Sequence, residues 1–258
     1  MNRIQDLFKK KKSGILNVFY TAGFPQRDST VLIAQTLEAA GVDMIEIGIP
    51  FSDPIADGPV IQESNKTALD NGMSVTLLLE QVKEIRTSVN LPIILMGYLN
   101  PVMQYGIEKF CKDAAASGVD GLILPDMPMD EYITSYKSIF EANNLSNTFL
   151  ISPTTSEKRI RHIDGATDGF IYAVSSSSTT GAKKDFGDEQ IDYFKKLKSL
   201  KLKNPFLIGF GISNHATFAR ASEFSSGGSI GSAFITLLKN TANVQTDIPA
   251  FIQSLRSK

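Results

Sequence analysis

The sequence has only one cysteine and two histidines in 258 residues, and it has no tryptophan. Cys111 alone cannot form an internal disulfide, so we expect the chain to work in a reducing compartment. With His162 and His215 as the only histidines, a metal site of histidine and cysteine ligands is not expected. The composition leaves open an all-carboxylate site for a hard cation, but it predicts no metal cofactor.

The sequence also lacks an excess of charge of one sign and lacks long apolar runs. Lys plus Arg number 26 and Asp plus Glu number 27, which gives no electrostatic case for nucleic acid or an anionic membrane as a partner. No run reaches the ~18 apolar residues of a membrane span, and the first residues lack the apolar core of a signal peptide. We therefore expect a cytoplasmic protein.

Short apolar runs recur along the chain with amphipathic segments between them. The runs predict strands at 17–23, 44–50, 93–98, 121–126, 148–153, 169–175, 206–211 and 227–233. The segments with helical periodicity are 27–41, 74–89, 105–117, 130–143, 187–199 and 213–223. Strands that alternate with single helices predict right-handed βαβ units and a parallel sheet.

Eight such units in about 250 residues match a (βα)8 TIM barrel better than a doubly wound open sheet. No linker divides the chain, so residues 1–258 are predicted to form a single α/β domain, with 2–11 as an extra helix beneath the barrel. A weak repeat supports this prediction, because Asp43, Asp120 and Asp168 each stand shortly before a strand. The loops at the C-terminal ends of the strands should build the active site.

Glu46 stands in the middle of an apolar strand, within the stretch EIGIPFSDPIADGP at 46–59. Alternation along the strand directs isoleucines toward the helices and Glu46 toward the barrel interior. A carboxylate there is desolvated, which raises its pKa toward the range useful for a general acid or base. The alternative is a core ion pair, although the predicted strands contain no Lys or Arg.

The loop after this strand carries Asp53 and Asp57 among three prolines. Because proline restricts the backbone, the loop is suited to hold a shape against a ligand or a partner. Asp57 precedes a glycine and is equally consistent with a turn and with a catalytic carboxylate. Asp53 is better suited to a turn or an interface contact than to a reaction.

Small residues end the seventh and eighth strands, in IGFGIS at 208–213 and SIGSA at 229–233. Such residues let backbone N–H groups approach an anion, and a helix that begins near Ser232 would direct its positive end to the same place. These two loops commonly bind phosphate in a TIM barrel, so a phosphate ester is the predicted ligand; tight turns are the alternative. The loop 178–184 could close over the site or be a flexible polar loop.

Aromatic and polar side chains at other strand ends predict a pocket beside the phosphate site. The residues expected to line it are Phe19, Tyr20, Thr21, Tyr98, Asn100, Tyr172 and Phe210. Barrels often fill such positions for structural reasons, so only the set as a whole predicts an apolar, aromatic pocket.

The stretch 46–59 closely resembles the signature of the tryptophan synthase alpha subunit family. Further matches follow in the family's order over roughly residues 15–240, in YTAGFP at 20–25, MGYLNP at 96–101, LPDMP at 124–128, GFGIS at 209–213 and GSA at 231–233. The resemblance implies a TIM-barrel lyase of tryptophan biosynthesis. Its reaction would be the retro-aldol cleavage of indole-3-glycerol phosphate to indole and glyceraldehyde 3-phosphate, with no cofactor in this chain.

The resemblance also implies roles for individual residues. Glu46 would be the acid/base that protonates indole C3 and helps remove the proton of the glycerol hydroxyl, and Asp57 would stabilise positive charge at the indole nitrogen. The implied substrate- and phosphate-binding residues are Phe19, Tyr98, Tyr172, Thr180, Gly181, Phe210, Gly211, Gly231 and Ser232.

A partner follows from the same resemblance. A beta subunit that carries pyridoxal phosphate would receive the indole through a tunnel in an alpha2beta2 tetramer, with Asp53 and Asn100 facing it. Ser178 and Thr179 stand where many members of the family have Gly and Val, so closure of this loop can differ in rate. Thr180 and Gly181 are retained, which argues against a loss of function.

Two other functions stay open at this point. One is another phosphate-binding barrel that acts on a sugar phosphate or an indole intermediate, which should not need both Glu46 and Asp57. The other is a catalytically silent barrel that only binds and activates a partner subunit. The presence of both carboxylates argues against the silent barrel.

Overall fold

The computed structural model describes residues 2–175 and 186–257. Its strands are β1 Ile15–Thr21, β2 Met44–Gly48, β3 Ile93–Met96, β4 Gly121–Ile123, β5 Ser146–Asn147, β6 Leu150–Ile151, β7 Ile171–Val174, β8 Phe206–Gly209 and β9 Gly227–Ile230. Its helices are α1 Arg3–Lys10, α2 Ser29–Ala39, α3 Pro59–Asp70, α4 Val75–Ile85, α5 Leu99–Tyr105, α6 Ile107–Ser117, α7 Met129–Glu131, α8 Lys137–Ala142, α9 Glu157–Ala166, α10 Asp188–Ser199, α11 His215–Phe224, α12 Ser232–Asn240 and α13 Val244–Arg256.

The sheet is parallel and closes into a barrel. Its strand order is β5-β4-β3-β2-β1-β9-β8-β7-β6, so the two ends of the sheet are the two halves of the stretch 146–151. In that stretch, Thr148 N donates to Leu122 O at 3.1 Å, and Phe149 O accepts from Tyr172 N at 3.0 Å. The stretch thus bridges β4 and β7. The predicted TIM-barrel class is confirmed, although the fifth strand is split because it pairs first with one neighbour and then with the other.

Side chains alternate between two layers, as the sequence predicts. Ile45 and Ile47 pack in the layer between the strands and the outer helices, whereas Met44 packs inside the barrel. The N-terminal helix α1 closes the lower end, where Phe8 is buried with its ring centroid 5.5 Å from that of Phe170. The predicted extra helix beneath the barrel is therefore confirmed.

The repeated Asp before a strand has a structural reason. Asp43 Oδ2 accepts from Leu16 N at 2.9 Å, and Asp120 Oδ2 accepts from Ile93 N at 2.9 Å. In each case the carboxylate satisfies a backbone donor of the neighbouring strand at the N-terminal end of the barrel. At Asp43 and Asp120 the repeat therefore belongs to the fold and not to the chemistry.

Some predicted elements differ from the structure. GSA at 231–233 was expected to end a strand, but α12 begins at Ser232, because the strand ladder stops at Ile230. The single helix expected at 130–143 contains a π-helical turn at Tyr132–Tyr136, which accompanies the burial of the Tyr132 ring between neighbouring aromatic rings. None of the helices in the described ranges is long and apolar enough to cross a membrane.

Candidate active site

A cavity of about 240 Å³ opens at the C-terminal ends of the strands. Its lining residues are Phe19, Glu46, Asp57, Val60, Ile61, Met96, Tyr172, Phe210, Gly211, Ile212, Ser213, Ser229, Gly231, Ser232, Ala233 and Thr236. A smaller cavity of about 60 Å³ shares Phe19, Asp57 and Phe210 with the first and adds Tyr98. The predicted carboxylates, aromatic residues and glycine loops thus meet at one site.

Glu46 lies on β2 at the floor of this cavity and is fully buried. Burial raises the pKa of its carboxyl group to about 7, and hydrogen bonds from Asn17 and Ser229 oppose the rise. Asn17 Nδ2 donates to Oε1, and Ser229 Oγ donates to Oε2 at 3.4 Å. Within residues 2–175 and 186–257 neither partner of Glu46 is a cation, which contradicts the alternative of a core ion pair there. A carboxyl group with this pKa can release and accept protons near neutral pH.

Sequence reasoning missed Asn17 and Ser229 as partners of Glu46. Strand register brings them there, because Asn17 pairs with Ser229 across β1 and β9, and Phe19 pairs with Glu46 across β1 and β2. Asn17 and Phe19 lie two residues apart and so share the inward face. The available signal was a polar residue on the inward face of an apolar strand.

Asp57 lies at the rim of the cavity, half-buried, in the loop between β2 and α3. Its backbone N–H donates to Pro54 O at 3.0 Å, so the turn predicted for Asp57 is present. The side chain takes no part in the turn, because its Oδ2 accepts a 3.0 Å hydrogen bond from the Tyr98 hydroxyl. Burial raises the pKa of the Asp57 carboxyl, and the bond from Tyr98 opposes that rise. The turn is therefore present, and the carboxylate also lies on the cavity, where a catalytic role stays a prediction.

Two glycines leave space for the aromatic rings of Phe19 and Tyr172, which line the cavity. A Cβ on Gly48 would lie 2.8 Å from Cζ of Phe19, and a Cβ on Gly209 would lie 2.2 Å from Cε1 of Tyr172. Each ring crosses the backbone of a neighbouring strand, which only a residue without a side chain allows. Phe210 packs on Tyr172 edge to face, with 6.4 Å between ring centroids. The result is an apolar slot above Glu46.

The glycine loops after β8 and β9 form one corner of the cavity. Phe210 and Gly211 both have positive φ, at 68° and 79°, and Phe210 O accepts from Ser175 Oγ at 2.8 Å. Gly231 is the N-cap residue of α12, whose first residue is Ser232. The first turn of a helix has N–H groups without intrahelical acceptors and a partial positive charge. This corner therefore suits an anion, as the sequence predicted.

Other predicted residues lie elsewhere. Tyr20 was expected at the mouth of the pocket, but it is fully buried and donates to Thr30 O at 3.0 Å, because alternation directs it toward the helices. Thr21 is also buried, and its hydroxyl bonds Ser64 Oγ at 2.7 Å. Asp53 and Asn100 are exposed on the outer surface. Thr180 and Gly181 lie outside the described residues, together with the whole of the loop 178–184.

The site combines a buried carboxyl group that titrates near neutrality, a second carboxylate at the rim, an aromatic slot and an anion-binding corner. The described part of the chain contains no group of three or more His, Cys, Asp or Glu side chains that could hold a metal ion. Such a site can transfer protons to and from an aromatic ligand that carries an anionic group.

Comparison with known proteins gives a consistent result. Residues 5–256 match the family model described as Tryptophan synthase alpha chain. Tryptophan synthase alpha chain from Parabacteroides distasonis is 53% identical over 256 residues, with 99% of this chain and 100% of that protein covered. The protein of the same name from Flavobacterium psychrophilum is 52% identical over 255 residues, with the same coverage. Among solved structures, tryptophan synthase subunit alpha from Legionella pneumophila is 32% identical with a TM-score of 0.89, covering 99% of this chain and 97% of that one.

Proposed function

This chain belongs to the tryptophan synthase alpha chain family, and we propose that it uses Glu46 and Asp57 as the two catalytic carboxylates of the family's reaction. That reaction is the lyase cleavage of indole-3-glycerol phosphate, and the indole passes to a beta subunit, which carries the pyridoxal phosphate. The observation that supports the proposal most directly is the pair of unlike carboxyl groups on one cavity, one fully buried and one at its rim.

Glu46 acts first as an acid and then as a base. Its protonated carboxyl group donates a proton to C3 of the indole ring, which leaves a positive charge at the ring nitrogen. Asp57, ionised, stabilises that charge. The Glu46 carboxylate then accepts the proton of the adjacent glycerol hydroxyl as the C–C bond to the ring breaks. The O–H electrons form the aldehyde, the C–C electrons restore the indole ring, and Glu46 regains its proton.

The reaction requires protonated Glu46 and ionised Asp57 at the start, and these protonation states follow from the environments of the two carboxyl groups. Glu46, with a pKa of about 7, is largely protonated in mildly acidic solution and about half protonated at neutral pH. Asp57 is less deeply buried and receives the hydrogen bond of Tyr98, which favours its ionised form. Two carboxyl groups whose environments separate their pKa values can act as acid and anion at the same time.

The rest of the cavity positions the substrate. The indole ring lies in the slot formed by Phe19, Tyr172 and Phe210, and the phosphate occupies the corner of Gly211, Gly231 and Ser232. Thr180 and Gly181 would complete the phosphate site by family resemblance. Binding energy from the phosphate thus holds the reacting carbon above Glu46.

The beta subunit docks, in our proposal, on the face formed by the loop after β2 and by α5, to give an alpha2beta2 tetramer. Asp53 and Asn100 are exposed on these two elements. So are two large apolar side chains, Ile55 at 86% exposure and Met103 at 54%. A partner that covers these two side chains would remove their apolar surface from water, which favours association. Because the docking loop also carries Asp57, partner binding can act directly on the catalytic site.

We further propose that the whole chain is one cooperative domain in the cytoplasm. Its one cysteine, Cys111, is buried and unpaired, which suits a reducing compartment. A single unfolding transition seen by two independent probes would support one domain. Osmotic shock releases the contents of the periplasm, and a cytoplasmic enzyme should stay in the shocked cells and appear in the soluble fraction only after they are lysed.

Indole release from indole-3-glycerol phosphate tests the catalytic assignment, with the purified chain alone and with its beta subunit. We expect Glu46→Gln and Asp57→Asn each to abolish release above background. Glu63→Gln is the matched control, because Glu63 is an exposed carboxylate on α3 that pairs with Lys239 on the surface. Full activity in both catalytic-site variants would overturn the assignment.

A further inference from the structure

A buried polar cluster of Asn17 and Ser229 contacts Glu46, and of these two residues only Ser229 also lines the cavity. Asn17 is fully buried, and its Nδ2 donates both to Glu46 Oε1 and to Ser229 Oγ, the latter at 3.0 Å. Ser229 is itself 2% exposed and bonds the second oxygen of Glu46. Asn17 is not among the residues that line the cavity, so a bound substrate would not touch it.

The two sides of the Asn17 amide differ in their contacts. Both hydrogens of Nδ2 are used, whereas Oδ1 is buried without a hydrogen-bond partner. A buried acceptor left in this way costs free energy, so it calls for an explanation. An amide can rotate to exchange its donor and acceptor sides, and the surrounding network decides which orientation is present.

We infer that Asn17 is a positioning residue for the proton transfers of Glu46, because its amide is complementary to both protonation states of that carboxyl group. With Glu46 ionised, Nδ2 donates to Oε1 and to Ser229 Oγ. With Glu46 protonated, a half-turn of the amide brings Oδ1 to the same place, where it accepts from the Glu46 carboxyl proton and from the Ser229 hydroxyl. Each orientation makes two hydrogen bonds and leaves one amide atom unpaired.

This inference rests on the proposed role of Glu46 as acid and then base. A group that donates a proton and recovers it within one turnover needs surroundings that favour neither state strongly. A fixed donor, such as a lysine, would hold Glu46 ionised, and an apolar floor would hold it protonated. A rotating amide serves both states and keeps the carboxyl group in one orientation beneath the substrate.

Other groups that face Glu46 do not replace this role. The inward side chains of the surrounding strands are Phe19 from β1, Met96 from β3, Tyr172 from β7 and Ser229 from β9, and Asp57 approaches from the rim. Burial raises the pKa of Tyr172 well above its usual range, so the phenol stays neutral. In the described parts of the chain, the cavity lining includes no Lys, Arg or His.

Asn17→Leu tests the inference, since leucine has a similar size and no polar atom. Leucine removes both the charge-assisted bond to ionised Glu46 and the weaker neutral bond from protonated Glu46, so the ionised form loses more and the Glu46 pKa should rise by about one unit. The infrared carbonyl band of protonated Glu46 can be isolated by subtracting the spectrum of Glu46→Gln. In Asn17→Leu this band should disappear at a pH about one unit higher than in the wild type. The alkaline limb of the pH profile of kcat should move by the same amount, and kcat should fall about tenfold. KM should stay within about twofold of wild type, because Asn17 does not touch the cavity.

Ser229→Ala is the second variant and provides the test if Asn17→Leu does not fold. It should also raise the Glu46 pKa, by less than Asn17→Leu. Ser146→Ala is the matched control, because Ser146 is also a buried strand hydroxyl that accepts from an asparagine amide, that of Asn2 at 2.8 Å. It should move neither the band nor the profile.

An unmoved titration midpoint in Asn17→Leu and Ser229→Ala would overturn the positioning role, as would a KM effect without a kcat effect in Asn17→Leu. The two proposals can fail separately. Activity retained in Glu46→Gln removes the catalytic role itself. Activity lost in Glu46→Gln, with unshifted profiles in the other two variants, removes only the role of Asn17.

Discussion

The Tyr98 hydroxyl donates to Asp57 Oδ2 at 3.0 Å and accepts from Ala56 N at 3.0 Å, so one phenol at the end of β3 holds both the backbone and the carboxylate of the loop after β2. Burial and the nearby Asp57 raise the pKa of Tyr98 above its usual value, and the phenol stays protonated as a donor. The hydrogen bond favours the ionised form of Asp57, which is the form that the proposed reaction requires.

Tyr98→Phe should therefore raise the pKa of Asp57. Because Asp57 acts ionised, the acid limb of the pH profile of kcat/KM should move to higher pH, and kcat/KM on that limb should fall about fivefold. Tyr105→Phe is a matched control, since Tyr105 donates to Asp113 at 2.8 Å on the outer surface. An acid limb that stays in place in Tyr98→Phe would contradict the role given to this bond.

Glu46 should make the stability of the fold depend on pH. Its pKa in the folded chain is about 7, against an ordinary value of 4.5. A group with a raised folded pKa gives stability at low pH that is lost as pH rises through the folded value. We expect the wild-type free energy of unfolding to decrease between these pH values relative to Glu46→Gln, by about 3 kcal/mol in total.

Urea unfolding at about pH 5 and about pH 8 measures this difference. Glu46→Gln should be close to wild type at the lower pH and more stable at the higher one. Glu63→Gln, which changes an exposed carboxylate, should show no such change. A difference between Glu46→Gln and wild type that is the same at both values would show that the buried carboxyl group does not titrate in this range.

The sequence predicted the barrel and many of the residues that line the cavity, for physical reasons that differ from residue to residue. Strand alternation was enough to direct Glu46 inward, because the period of two is rigid. The same rule directs Tyr20 outward, and its expected place at the mouth of the pocket is wrong because β1 continues through Thr21. Strand ends are set by the hydrogen-bond ladder with neighbouring strands, which a single sequence does not show.

Contacts between distant strands could not be predicted. The bonds from Asn17 and Ser229 to Glu46 depend on the register of three strands, and Asn17 and Ser229 are 212 positions apart in the chain. The need for glycine at 209 depends on the Tyr172 ring of the neighbouring strand. For Asp57, the turn was visible in the sequence, but the hydrogen bond from Tyr98 was not, since it joins two loops.

Gly209→Ala should disturb the substrate slot. Its Cβ would lie 2.2 Å from Cε1 of Tyr172, so the ring must move or the strands must separate. Overpacking of this kind costs about 1–3 kcal/mol, and displacement of the ring should raise KM for indole-3-glycerol phosphate. Thermal unfolding and steady-state kinetics measure the two effects. Gly165→Ala is the control, because no atom lies within 4 Å of its added Cβ; equal behaviour of the two variants would refute the steric explanation.

Ser232→Asp should weaken substrate binding through charge. Ser232 is the first residue of α12, at the corner proposed for the phosphate. A carboxylate there takes the place of the anion at the helix N-terminus and repels it, so KM should rise about tenfold or more while kcat changes little. Ser232→Asn controls for size without charge. If both variants raise KM equally, the effect is steric and the phosphate does not sit at this helix end.

The buried ion pair at the opposite end of the barrel should control stability without affecting catalysis. Arg86 NH2 lies 2.5 Å from Asp120 Oδ2, with side-chain exposures of 10% and 3%. Asp120→Asn leaves the Arg86 charge buried without its partner, which typically costs about 3–5 kcal/mol. Arg3 also pairs with Asp120, at 3.1 Å, but its side chain is 47% exposed, so Arg3→Ala should cost at most about 1 kcal/mol.

Both variants should keep kcat/KM within about twofold of wild type wherever they are folded, because the N-terminal face of a TIM barrel contributes stability and the C-terminal face contributes the chemistry. Urea unfolding gives the stability change, and indole release at a temperature below the transition gives the activity. A loss of activity in folded Asp120→Asn that exceeds its loss in Arg3→Ala would mean that the two ends of the barrel are coupled. The backbone carbonyl of Asp120 accepts from Asn2 Nδ2 at 2.8 Å, and this bond helps to hold α1 beneath the barrel. In that case the position of α1 would affect the barrel floor below Glu46.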